Sequence, residues 1–82
     1  MAHVACASHE IRAFTGGLDG FDVPAADVRG LLAELERRFP GLGAHVEQHM
    51  AIAIDGEIHQ DGLGAPLAPD SEVVLIPRIA GG

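Results

Sequence analysis

One segment has a clear period, and it dictates what the rest of the chain must supply. Val28, Leu31, Leu32, Leu35 and Phe39 fall at i, i+3, i+4, i+7 and i+11, the single apolar stripe of an amphipathic helix. Such a stripe needs a broad apolar surface to lie on, and the other apolar segments alternate as strands do. Asp27 suits the N-cap of this helix, and Phe39 ends it because Pro40 drives the preceding residue out of the α region. Glu34 and Arg38 form a favourably ordered i, i+4 pair, and Arg37 and Arg38 suit the negative end of the dipole. Gly30 is the weak point, at about 1 kcal/mol relative to Ala in a helix interior.

The flanking segments supply the surface. "HVACA" places Val4 and Cys6 on one face and Ala5 and Ala7 on the other, a first strand. "HEIRAFTGG" predicts a single helical turn with Ile11 and Phe14 over the core, stopped at Gly16 and Gly17, where positive φ is inexpensive. "LDGFDVP" is a second strand with Phe21 and Val23 buried and Pro24 at its end. "GLGAHVEQH" fits a loop or a second short helical turn. "MAIAIDGEIHQ" is a hairpin signal: Ile52 and Ile54 alternate, Asp55-Gly56 accepts a type I′ turn, and Ile58 comes after it. In the turn-rich "DGLGAPLAPD", Leu63 and Leu67 pin a crossing loop to the core. Four consecutive apolar residues in "SEVVLIP" predict a strand buried on both faces, hence a central one. The order predicts an α+β fold: a β-grasp roll, one mixed sheet of four to five strands with one main helix packed on one face. A single domain is expected over 1–82, with a flexible C-terminal tail at 78–82.

Composition removes several functions. With three Phe and neither Trp nor Tyr, the core is aliphatic and lacks the stacking platforms of single-strand nucleic acid binders. A net charge of -7 opposes a phosphate backbone, so no nucleic acid partner is expected. The one Cys excludes an intramolecular disulfide and a four-thiolate zinc or iron-sulfur site, and Cys6 on an alternating strand reads as an inert buried thiol. His45 and His49, with Glu47 between them, present two zinc ligands if the segment is helical, but no third ligand stands at a recognisable spacing and no metal site is expected. His3, His9 and His59 have no partner pattern. The N-terminal segment lacks the features of a signal peptide, and no run approaches the roughly 18 apolar residues of a membrane span, so a cytoplasmic protein without a membrane partner is expected. The five basic residues are all Arg, with no Lys.

The chain closes on "SEVVLIPRIAGG". Pro77 is expected to stop pairing after the predicted central strand and to fix φ so that the remaining residues project away from the sheet. The five residues from Arg78 to Gly82 extend up to about 16 Å, long enough to thread a narrow active site. Together with "EIRAFTGG", "DVRGLLAELERRFPGL" and "AIAIDGE", this ending resembles the small β-grasp sulfur carriers, the ubiquitin-like group of the MoaD and ThiS type. The resemblance spans nearly the whole chain. It implies a protein that is not an enzyme but a protein substrate. An adenylyltransferase of the MoeB/ThiF type uses ATP to activate the Gly82 carboxylate, a sulfur donor converts it to a thiocarboxylate, and a downstream enzyme such as the large subunit of molybdopterin synthase takes the sulfur. The molybdopterin type is favoured over the thiamine type. The tail, Pro77, Arg78, Ile79, Ala80, Gly81 and Gly82, is then the partner-binding segment, and no cofactor is bound by the carrier itself. Glycine at the last two positions lets a partner close around the backbone, and adenylation provides the leaving group that a carboxylate lacks. The alternative is a ubiquitin-like modifier joined through Gly82 to target lysines. Exposed apolar surface at Ile76 and Ile79, where the strand leaves the body, is the expected docking patch.

Overall fold

The computed structural model describes residues 1–6, 8–59 and 63–77. Among these, five strands and three helices run in the order β1 (Ala2–Ala5), α1 (His9–Thr15), β2 (Gly20–Val23), α2 (Val28–Arg38), α3 (Leu42–His49), β3 (Met50–Ile54), β4 (Glu57–His59) and β5 (Glu72–Pro77). The strands form one mixed sheet in the order β2-β1-β5-β3-β4. β1 and β5 run parallel at its centre, and the other pairs are antiparallel. This is the β-grasp roll.

Strand alternation sorts the side chains. Val4, Val23, Ile52, Ile54, Val73 and Leu75 meet Ile11, Leu31, Leu35, Leu42 and Val46 in one aliphatic core, so all three helices cover the same face. The α2 stripe is buried as its period predicts, from Val28 to Leu35. Phe39 stands just past the last helical residue, half-buried, with its ring edge-on to Phe21 at 5.2 Å. Asp27 caps α2 by accepting from the Gly30 amide at 2.7 Å. At Gly30 a Cβ would stand 3.2 Å from the capping oxygen of Asp27, so an alanine there would crowd the cap. Two further orphan amides at this helix start are met from the crossing loop: Val28 donates to the Ala65 carbonyl at 3.0 Å and Arg29 to that of Leu63 at 2.8 Å. Leu67 is buried beside them and Leu63 half-buried, so the loop is pinned as expected.

Two sequence expectations change and one open reading is decided. "HEIRAFT" is a seven-residue helix rather than one turn; Ser8 caps it by accepting from Ile11, and Gly16 at φ 73° ends it. "LGAHVEQH" is a helix, and its N-terminus is satisfied from a neighbour: the Glu36 carboxylate on α2 accepts from the Gly41 amide at 2.7 Å and the Ala44 amide at 3.2 Å. β5 is central, but only Val73 and Leu75 are fully buried, whereas Val74 and Ile76 are half-buried. With all three helices of the described residues on one face, the other face of the sheet is uncovered by any of them.

The hairpin turn is as expected. Asp55 at φ 50° and Gly56 at φ 89° both take the left-handed region that a type I′ turn demands. The Asp55 carboxylate accepts from the Glu72 amide at 2.9 Å and the Ser71 hydroxyl at 3.1 Å, which ties the turn to the start of β5.

Candidate functional site: the open sheet face and the end of β5

Because β1 and β5 are parallel, they end at the same edge of the sheet, and antiparallel β3 begins there. Pro77, exposed, is the last described residue of β5 and is still in register with Met50. The edge at which β5 ends therefore lies between the start of α1, which comes after β1, and the end of α3, which leads into Met50. Of the sequence-predicted tail, Arg78, Ile79, Ala80, Gly81 and Gly82 lie outside the described residues, and Pro77 alone is placed.

The uncovered face is chemically divided. On one half the register brings Ala51 opposite Ile76 and Ala53 between Val74 and Ile58. The two alanines are buried beneath larger neighbours, Val74 and Ile76 are half-buried, and Ile58 is 61% exposed. These apolar residues stand side by side on the uncovered face. On the other half, Asp22, His3 and Glu72 form a row across β2, β1 and β5. His3 Nδ1 is 2.9 Å from the Asp22 carboxylate and Nε2 is 3.9 Å from that of Glu72. The imidazole leans over Gly20, where a Cβ would be 2.9 Å from Nε2. Sequence reasoning pointed to Ile76 but missed the surface it belongs to. Ile58 carried the signal: an isoleucine on a three-residue edge strand, flanked by Glu57 and His59.

Cys6 is not part of this surface. It is buried on the core side, and burial, followed by the nearby Asp19 charge, pushes its thiol up from the ordinary value, which disfavours the nucleophilic thiolate.

The family model of the ThiS family matches residues 10–82, nearly the whole chain and through both terminal glycines. The chain belongs to the ThiS family. No match is found among curated protein sequences. Among solved structures, the likeness of this ThiS-family chain extends to CysO of Amycolatopsis orientalis, solved in a complex with BexX, at a TM-score of 0.84 and 21% identity over 100% of both chains. CysO of Mycobacterium tuberculosis superposes at a TM-score of 0.84 and 17% identity, covering 96% of this chain and 100% of that one. The small archaeal modifier protein 1 of Methanosarcina acetivorans matches at a TM-score of 0.78 and 21% identity, covering 99% and 95%. At such identities the likeness is one of fold, and it places CysO and the archaeal modifier on the same β-grasp frame as this ThiS-family chain. No helix among the described residues is long and apolar enough to cross a membrane.

Proposed function

We propose that this ThiS-family protein is a sulfur carrier that is acted on rather than acting, with the Gly82 carboxylate as its working group. The observation that carries this reading is the family match, which runs to Gly81 and Gly82. A partner adenylyltransferase of the MoeB/ThiF type joins the carboxylate to AMP and releases pyrophosphate from ATP. Sulfide then attacks the acyl carbon, one carboxylate oxygen leaves on AMP, and a thiocarboxylate remains. The acceptor is a sulfur-consuming biosynthetic enzyme, and the large subunit of molybdopterin synthase is the first candidate to assay. During charging the partner must grip the body of the carrier. The open face is suited to that, since Val74 and Ile76 belong to the strand that leads directly into Pro77.

Incubation with an activating enzyme, ATP and sulfide, and then an intact mass, tests the reading. A gain of about 16 Da, oxygen replaced by sulfur at the terminal carboxyl, supports it. A second reading is favoured by the fold shared with the archaeal modifier: the activated Gly82 forms an amide with a target lysine. That reading gives higher-mass conjugates in the same experiment. Since the chain has no Lys, such conjugates are joined to other proteins and not to side chains of its own copies.

A further inference from the structure

The carrier reading leaves the α1–α3 seam unused, although four chemically distinctive side chains meet there. Because residues 42–49 are helical, His45 and His49 stand one turn apart on one face, and helical side chains lean toward the N-terminus, which lays the His49 ring over the turn bearing His45. Their ring centroids are 5.2 Å apart with planes inclined by 43°. Two imidazoles on one tetrahedral zinc, with Zn–N near 2.1 Å, also hold their centroids about 5 Å apart. Glu10 reaches across from α1 and meets Nε2 of His45. A carboxylate at Nε2 holds the proton on that nitrogen and leaves the lone pair on Nδ1, the arrangement that orients metal-bound imidazoles. Phe14 closes the other side, with its ring 5.2 Å from that of His45. The His45 side chain is thereby held at 21% exposure, and His49 remains open to solvent.

We propose that His45 and His49 form a two-nitrogen site for a divalent late-transition cation, with Glu10 positioning His45. Imidazole donors favour zinc, copper and nickel over magnesium and calcium. Among the described residues no three His, Cys, Asp or Glu side chains are grouped to hold a metal, so water or a partner's donor completes the coordination. The site flanks the end of β5, because His49 directly precedes Met50, the register partner of Pro77. It stands independently of the carrier chemistry.

The test is a zinc chloride titration of the full chain at neutral pH, monitored by calorimetry and by the ring resonances of the five histidines. One ion per chain is expected, with saturable shifts at His45 and His49 and no response to magnesium chloride. His49→Ala, a change at an exposed position, is expected to weaken binding roughly tenfold or more, and Glu10→Gln to weaken it less, with far-ultraviolet circular dichroism unchanged. Zinc shifts confined to His3, His9 or His59, an affinity unaltered in His49→Ala, or no shift at millimolar zinc each overturn the proposal and leave the two rings as packing.

Discussion

Gly43 sets the distance between two helices. A Cβ there would stand 2.6 Å from the Leu32 carbonyl oxygen and 2.9 Å from Cβ of Glu36, and both belong to a rigid helix that cannot yield without moving α3. Gly43→Ala is therefore expected to destabilise the fold by about 1–3 kcal/mol, the usual range for overpacking, seen as a lower urea midpoint with unchanged slope. At the other extreme stands Gly82. Gly82→Ala adds a single methyl group at the last residue and is expected to leave the melting temperature unaltered. If the carrier reading holds, the same variant loses the gain of sulfur mass under charging conditions. Full charging of Gly82→Ala would remove the steric argument for a bare terminus.

At the scale of elements, each of the two longer helices begins with help from outside itself. The α2 amides are met by its own Asp27 and by carbonyls of the crossing loop, and the α3 amides by Glu36 of α2. Asp27→Ala is expected to cost about 1 kcal/mol, measured by equilibrium urea unfolding. Glu36 has a pH signature. Hydrogen bonds from the Gly41 and Ala44 amides hold its carboxyl below the ordinary value of 4.5, because they favour the charged form. Since the folded state binds this proton less readily than the unfolded one, the contribution is complete above pH 4.5 and is lost as pH falls through the depressed value. Glu34 acts in the same direction, lowered chiefly by the hydrogen bond from Arg37. Melting temperature is therefore expected to drop below the ordinary carboxylate range, and the drop to be shallower in Glu36→Gln. A Glu36→Gln profile parallel to that of the parent protein would show that the α2–α3 corner does not depend on this charge.

Across the whole molecule the decisive feature is one-sidedness. Among the described residues, three helices crowd one face of the sheet, and the other carries an apolar half and an acidic-histidine half beside the strand that leads to the C-terminus. Ile58→Asp changes a side chain that is 61% exposed and outside the aliphatic core, so it is expected to leave stability within about 0.5 kcal/mol. If the activating partner grips the open face, this variant raises the carrier concentration needed for half-maximal charging, while the rate at saturation changes little. Unaltered charging kinetics at every carrier concentration would move the docking surface elsewhere.

The periodic and local features are in the sequence: the α2 stripe, the Asp27 cap, the Asp55-Gly56 turn, the alternation of Val4 with Cys6, and the central place of β5. Each depends on residues a few positions apart, where the 3.6-residue and two-residue periods govern. What joins distant segments was settled only by folding. α3 lacks a side-chain cap of its own and exists as a helix because Glu36 supplies one; Val28 and Arg29 depend on carbonyls from Ala65 and Leu63; and Glu10 meets His45 across 35 positions. The open face is of the same kind, since Ile58 and Ile76 become neighbours of the two alanines through pairing register, a property that no single strand possesses.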